Sequence, residues 1–159
     1  MVQKLIRITA DGGITLEDFP CGSRWREELN RMVGPDCRLA ECVWPRRLYR
    51  ELHVPHVQTA KTGLCMIVDE DGIRKNLPLN VAGSWLYETD KHHAPILGNI
   101  LIVGECRQQD GCTDLCGIPD NLLREVYPAL ARIAAAVRNA KKVSPNVQND
   151  AHGSKKVKK

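Results

Sequence analysis

Aromatic residues and long apolar runs are scarce in this sequence. One Phe, three Trp and three Tyr make up 4% of the chain, so the core must consist mainly of Leu, Ile, Val and Ala. No window approaches the roughly 18 consecutive apolar residues that a membrane-spanning helix needs. The stretch Met1–Ala10 alternates between apolar and polar side chains, which is unlike a signal peptide. We therefore expect a soluble, cytoplasmic protein without a membrane partner.

Several motifs that would identify an enzyme are also missing. The sequence contains neither G-x-x-x-x-G-K-S/T nor G-x-G-x-x-G, the glycine-rich loops that bind phosphate. It lacks the G-x-S-x-G turn of a serine nucleophile, and Ser84 lies where a helix is predicted. The acidic stretch Asp69–Asp71 is not part of a calcium-binding loop. The sequence thus predicts a protein without catalytic residues or a cofactor, with a cysteine- or zinc-dependent enzyme as an alternative.

Length and charge predict one domain followed by a tail. A chain of 159 residues fits a single domain, here residues 1–140. Lys141–Lys159 is rich in Ser, Pro, Asn and Lys, which predicts a disordered, flexible basic tail. Residues 120–159 carry nine Lys/Arg and three Asp/Glu, a net charge of +6, which leaves residues 1–119 at −2. Such a basic end attracts polyanions without specifying one.

Seven cysteines are present, an odd number that favours reduced thiols over a disulfide framework. Most are expected to be small core residues. Cys106, Cys112 and Cys116 have the spacing C-x5-C-x3-C, and His92 or His93 could complete a zinc site if the loops meet. Zinc sites more often contain C-x2-C pairs, so incidental thiols in a loop are the alternative.

The first half of the chain predicts a hairpin, a helix and further strands. An Asp-Gly-Gly turn separates two alternating segments, as in a β-hairpin. Ser23 is placed to cap a helix that runs to Met32. Strands are predicted at Val2–Ala10, Ile14–Glu17, Cys37–Trp44 and Leu64–Val68, a short helix at Arg46–Glu51, and a segment that pairs back at Ile73–Leu77.

The second half predicts two helices around a buried strand. Asn80 can cap a helix over Val81–Glu88. Ile96–Val103 is the most apolar run and predicts a strand that is buried on both faces. A loop is expected over Glu105–Pro119, followed by the longest helix, Asp120–Asn139. The predicted fold is α+β, a small mixed or antiparallel sheet with two or three packed helices.

One segment combines arginines with aromatic residues. Arginines neutralise phosphates and aromatic rings stack on bases, so the segment suggests contact with nucleic acid. Its candidate residues are Trp44, Arg46, Arg47, Tyr49 and Arg50, to which the tail adds Lys141 and Lys142. In the alternative interpretation, the two aromatic residues anchor the core and the arginines form a solvated rim.

Three blocks of the sequence together resemble a known family. The main block comprises Asn76–Asn80 (NLPLN), Trp85–Tyr87 (WLY) and Ile96–Gly104 (ILGNILIVG). A helix, valine-glycine, strand step at residues 32–41 and a strand, acidic turn, glycine step at Met66–Gly72 precede it. In this order the blocks resemble the family called domain of unknown function 3846, over about residues 2–125. The chain departs from the family pattern at two places, Pro45–Lys61 and Cys106–Cys116.

That family occurs in phages, plasmids and bacterial genomes and has no assigned activity. The resemblance therefore implies a fold and a mobile-element context, and it supplies no catalytic residues. We expect a non-enzymatic accessory protein that acts by stoichiometric binding of a host protein or a nucleotide-like ligand, with counter-defence among its potential roles. A nucleic-acid-binding protein that uses the arginine segment and the lysine tail is the second hypothesis.

Overall fold

The structure, a computed structural model, describes residues 2–58 and 60–143. Within these residues the chain forms a six-stranded antiparallel sheet and five helices, which confirms the predicted α+β class. None of the helices in this part of the chain is long and apolar enough to cross a membrane. The disorder predicted for the tail falls mostly on residues 144–159, which lie outside the described residues.

Six strands and five helices follow one another along the described part of the chain. The strands are β1 (Lys4–Ile8), β2 (Ile14–Asp18), β3 (Ala40–Val43), β4 (Thr62–Asp69), β5 (Ile100–Arg107) and β6 (Thr113–Cys116). The helices are α1 (Trp25–Val33), α2 (Arg46–Glu51), α3 (Val81–Tyr87), α4 (Thr89–His92) and α5 (Asp120–Val143). The order across the sheet is β2-β1-β5-β4-β3, and β6 pairs with the part of β5 that extends beyond β1.

The two central strands, β4 and β5, are buried on both faces because helices cover both sides of the sheet. Leu64, Met66 and Ile102 face α2, α3 and α5 on one side. Cys65 and Leu101 face α1 on the other. This arrangement explains why both strands are nearly uninterrupted apolar runs in the sequence, a pattern typical of strands without a solvated face.

The long helix α5 supplies much of one core layer. Its predicted apolar face is buried against the sheet, with Leu122, Val126 and Leu130 in the core. The helix continues to Val143, four residues beyond its predicted end at Asn139. The last turn is held by a hydrogen bond, because the Lys141 Nζ donates to the Ala10 carbonyl at 2.9 Å.

The loop that we predicted over Glu105–Pro119 is instead a β-hairpin. β5 runs on to Arg107, and β6 pairs with it. The chain reverses at Gly111, whose φ of +84° suits glycine, and the Gln108 amide donates to the Cys112 carbonyl at 2.7 Å. β6 was not predicted because it has only four residues and the residues around the turn are polar.

Two further local predictions were wrong. Ile73–Leu77 forms turns instead of pairing with β4, and the Leu77 amide donates to the Gly72 carbonyl at 3.0 Å. Ser23 does not cap α1, which begins after Arg24 without a side-chain cap. In contrast, α2 has the predicted bounds, and the buried strand predicted at residues 96–103 exists but is shifted toward Arg107.

Glycine lets the end of β6 and the N-terminal segment approach β5 closely. A Cβ atom on Gly104 would lie 2.4 Å from the Gly117 carbonyl oxygen, a backbone atom that cannot move aside cheaply. A Cβ atom on Gly117 would in turn lie 2.2 Å from the Gln3 Cβ. The three backbone segments therefore pack at a separation that leaves no room for a side chain.

We expect the substitution Gly104→Ala to lower the free energy of unfolding by about 2 kcal/mol, because the added methyl group overpacks a backbone contact. Urea unfolding of the full chain measures the change. Gly34→Ala is the matched control, since no atom lies within 4 Å of its Cβ position and its φ of −174° suits any residue. Equal stability of the two variants would contradict the close approach.

Candidate binding cleft and cysteine cluster

Asn80 fixes the segment that identifies the family resemblance. Its side chain is fully buried, and its Oδ1 accepts the hydrogen bond from the Gly83 amide at 2.8 Å, as predicted for a helix cap. Its Nδ2 donates to the Gly98 carbonyl at 2.9 Å and to the Ile8 carbonyl at 3.2 Å. One amide group thus joins the start of α3, the approach to β5 and the end of β1.

Removal of this amide is expected to be costly. Asn80→Ala should lower the free energy of unfolding by about 3 kcal/mol, from a lost helix cap and two buried carbonyls left without their partner. Thermal and urea unfolding measure the loss. Asn121→Ala, an exposed position in the first turn of α5, should change stability by less than about 0.5 kcal/mol. A small effect at Asn80 would show that the network is dispensable.

A cleft of about 290 Å³ lies beside this segment. It is bounded by the β3–β4 pair on one side and by the connection from α4 to β5 on the other. Val68 and Ile96, both buried, form part of its apolar lining, and Tyr87 and Pro95 contribute to its wall. The cleft therefore has an apolar base that includes Ile96, whose carbonyl accepts a hydrogen bond from the backbone N–H of Asn80.

All charged residues that line the cleft are acidic: Glu41, Asp69 and Glu70. Asp69 is buried and already paired, because the Lys75 Nζ lies 2.7 Å from its Oδ2. Glu41 and Glu70 are exposed and have no ion-pair partner within the described residues. The cleft thus presents two uncompensated carboxylates above an apolar base, which suits a cationic group on an apolar stem.

The structure gives Arg47 a structural role in the arginine segment. Its guanidinium donates to both carboxylate oxygens of Asp90, at 3.0 and 2.8 Å, and to the Trp85 carbonyl at 2.8 Å. It also lies over the Trp85 ring, 4.9 Å from the centroid, and its side chain is only 13% exposed. Arg47 thus joins α2 to α3 and α4 and has little capacity left for a phosphate.

The other candidate residues in this segment differ in whether they already have a partner within the protein. Arg50 forms an ion pair with the buried Glu88, whereas Arg46 is exposed and has no ion-pair partner among the described residues. The Tyr49 hydroxyl donates to the Leu64 carbonyl, and burial raises the pKa of that hydroxyl. Tyr49 is therefore a core anchor, as the alternative interpretation held.

Trp44 and the two lysines lie at the surface. Trp44 is 39% exposed and packs edge to face on His56, with 4.5 Å between the ring centroids. Lys141 contacts the β1–β2 turn and Lys142 is exposed on the last turn of α5. Binding of nucleic acid by Trp44, Arg46 and these lysines stays a prediction.

The Arg47–Asp90 pair makes a pH-dependent contribution to stability. Hydrogen bonds from Arg47 hold the pKa of the Asp90 carboxyl below its ordinary value of 3.8. A carboxyl whose pKa is lowered by folding stabilises the protein above its unfolded pKa, and this contribution is lost as the pH falls through the folded pKa.

Arg47→Ala should therefore raise the pKa of Asp90 toward 3.8 and destabilise the protein at neutral pH more than in acid. An NMR titration of the carboxyl, with Arg46→Ala as the control that leaves the pKa unchanged, tests this.

The three cysteines predicted to bind zinc do not come together as one group. Cys106 in β5 and Cys116 in β6 are in thiol–thiol contact, and burial raises the pKa of Cys116 to about 12. Cys112 is exposed in the hairpin turn between these strands. Within the described residues, these three thiols do not lie close enough together to bind one metal ion as a group. His92 packs beside the Tyr87 ring instead.

Another group of potential metal ligands lies on the face of the sheet that α1 covers. It consists of Cys42 in β3, Cys65 in β4 and Glu105 in β5, whose donor atoms all lie within 4.8 Å of one another. Contact with the Cys42 thiol and burial raise the pKa of Cys65, and burial raises that of Glu105. Sequence reasoning missed this group because strand pairing brings together residues from three separate segments, and because Glu105 was assigned to a loop.

The fold and these sites define a small antiparallel α+β domain with an acidic cleft and a thiol–carboxylate cluster. Residues 49–127 match the family model described as Domain of unknown function (DUF3846), which confirms the resemblance over that range. The match includes the main block and the Met66–Gly72 step, whereas the step at residues 32–41 precedes it and stays a prediction. No curated protein and no solved structure matches the chain.

Proposed function

We propose that this protein is a non-enzymatic accessory protein of a phage or other mobile element, and that it acts by stoichiometric binding of a host protein. The acidic cleft receives a lysine or arginine side chain of that partner. The pair of uncompensated carboxylates, Glu41 and Glu70, above an apolar base supports the proposal most directly. The family resemblance supports the mobile-element context, and a counter-defence role would make the partner a host defence protein.

The size of the cleft favours a side chain over a free small molecule. Ligand pockets usually enclose roughly 300–1,000 Å³, and this cleft, at about 290 Å³, falls at the lower limit. A lysine or arginine side chain would place its apolar stem against Val68 and Ile96 and its cationic head near the two glutamates. The partner's surrounding surface would then contact Ile73, an apolar side chain that lines the cleft and is 72% exposed.

The charge of the cleft disfavours the nucleotide-like ligand that the sequence left open. A phosphate group in this cleft would face Glu41 and Glu70, and the lining contains no Lys, Arg or His to neutralise it. Repulsion between like charges and loss of hydration both oppose such binding. A protein with a basic contact residue is therefore the ligand that the lining chemistry supports best.

Parallel affinity captures with matched charge variants test the proposal. The full chain, the cleft variant Glu41→Lys/Glu70→Lys and the control Glu28→Lys/Glu125→Lys are immobilised and exposed to lysate of a bacterial host. Both variants change the net charge equally, and the control positions are exposed residues that do not line the cleft. We expect a host protein that the wild type and the control retain, and that the cleft variant retains at least about tenfold less, because reversed charges repel the partner's cation.

The retained protein is then purified and titrated in a calorimeter. The proposal requires a one-to-one complex whose affinity falls as salt is added, since the contact includes exposed charges. Retention of the same proteins by all three forms would refute a role for the cleft. Retained material that nuclease removes would instead support the nucleic-acid hypothesis.

Truncation after Val143 separates these two hypotheses further. If the cleft binds a protein, the truncated chain should bind it with unchanged affinity. If the arginine segment and the lysine tail bind nucleic acid, truncation together with Arg46→Ala should weaken binding of a random duplex and make its salt dependence shallower, since fewer phosphates are neutralised. A fluorescence anisotropy titration at several salt concentrations distinguishes these results.

A further inference from the structure

We infer that Cys42, Cys65 and Glu105 form a binding site for a thiophilic divalent metal ion, and that Zn²⁺ is the ion whose ligand preferences the site fits best. This site is distinct from the cysteines of the β5–β6 hairpin and lies on the opposite face of the sheet from the acidic cleft. Neither the family match nor the sequence motifs assign it.

Strand register creates the site. β3, β4 and β5 are adjacent, and Cys42 lies opposite Ile67 while Glu105 lies opposite Gly63. Each of these two residues is therefore a diagonal neighbour of Cys65, which lies between Gly63 and Ile67 on the same face of β4. The result is three donor atoms within 4.8 Å of one another. A Cβ atom on Gly63 would lie 2.6 Å from the Val57 amide nitrogen, so the backbone of residues 55–57 packs against the position opposite Glu105.

The carboxylate of Glu105 provides the independent reason to expect a cation. The residue is 92% buried, since its exposure is 8%, and its Oε2 atom has no hydrogen-bond partner among the described residues. No Lys, Arg or His in this part of the chain forms an ion pair with it. Burial of an unpaired polar oxygen costs free energy, so native proteins rarely tolerate it without a ligand, a proton or an ion.

Burial alone does not account for the composition of this group. Cys65 could be a simple core residue, because a buried thiol is a small hydrophobe. Glu105 could not, since its position in a buried strand would suit an apolar side chain better. A divalent metal ion would bind both sulfurs as thiolates, whose protons pass to solvent, and would compensate the charge of the carboxylate, so it gives all three side chains one common role.

The donor set selects the class of ion. Two sulfur donors favour zinc over magnesium or calcium, which prefer oxygen. In a tetrahedral zinc site with bonds of roughly 2.3 Å to sulfur, ligand atoms are separated by roughly 3.5–3.8 Å. Because the donor atoms lie within 4.8 Å of one another, the site requires a contraction of at most about 1.3 Å, which the exposed Cys42 side chain can supply by rotation. Three protein ligands leave a fourth position for water, which matches the exposed side of the group.

A zinc titration of the complete chain tests the inference. The protein is reduced, stripped of metal and titrated with Zn²⁺ in competition with a chromophoric chelator. We expect one zinc ion per chain with micromolar or tighter affinity, and at least about a tenfold loss of affinity in Cys42→Ser and in Glu105→Gln, because each removes one ligand. Co²⁺ serves as a spectroscopic probe, whose thiolate charge-transfer absorption should weaken in Cys42→Ser.

Control variants show which cysteines bind the zinc ion. Cys21→Ser, at an exposed cysteine outside the group, should leave the zinc affinity unchanged. The triple variant Cys106→Ser/Cys112→Ser/Cys116→Ser should also retain zinc. Absence of zinc binding by the wild type, or binding that Cys42→Ser and Glu105→Gln leave unchanged, would overturn the inference. Loss of zinc in the triple variant alone would assign the metal to the hairpin instead.

Cys42→Ser also separates the loss of a metal ligand from the loss of the fold. Cys42 is exposed on the edge strand, so its substitution should leave the fold intact, as far-UV circular dichroism can verify. The melting temperature gives a second readout, since zinc should raise that of the wild type and leave that of Cys42→Ser unchanged. Cys65→Ala, which keeps the buried position apolar, should lose the zinc-dependent increase as well. An equal increase in all three proteins would contradict the site.

Discussion

The hydrogen bonds of one buried side chain, Asn80, hold the central part of this fold together. The carboxamide caps α3 and donates to carbonyls of two separate segments, so the positions of the helix, the approach to β5 and the end of β1 depend on one another. The backbone N–H of Asn80 also donates to the Ile96 carbonyl at 2.8 Å. Ile96 lines the acidic cleft, and the network therefore determines the shape of the cleft as well as the start of the central strand.

Two helical layers divide the sheet into faces with different chemistry. The face covered by α2, α3 and α5 has an extended aliphatic core, and the cleft opens at its margin beside the β3–β4 pair. The face covered by α1 has a smaller core and includes the thiol–carboxylate group. Because α1 has only nine residues, it shields less of its face, and Cys42 near the edge of the sheet stays accessible.

Local signals made much of the fold predictable. The Asn80 cap, the apolar stripe of α5 and the uninterrupted apolar runs of β4 and β5 each depend on neighbours in sequence, and each prediction was confirmed in type. The hairpin at Gly111 was missed because its second strand is short and its turn is polar, which resembles a loop. The partners of Arg47 and the group around Glu105 were beyond sequence reasoning, since both depend on which distant segments pack together and in what register. The acidic lining of the cleft likewise combines Glu41 with residues almost thirty positions later.

Glu41 and Cys42 are consecutive residues of the same edge strand, and their side chains point to opposite faces of the sheet. One belongs to the cleft lining and the other to the thiol–carboxylate group, so a single peptide unit connects the two sites. β3 has only four residues and is paired on one side alone. A ligand that shifted this strand at one proposed site would change the affinity of the other, and thermodynamic linkage would make the effect equal in both directions.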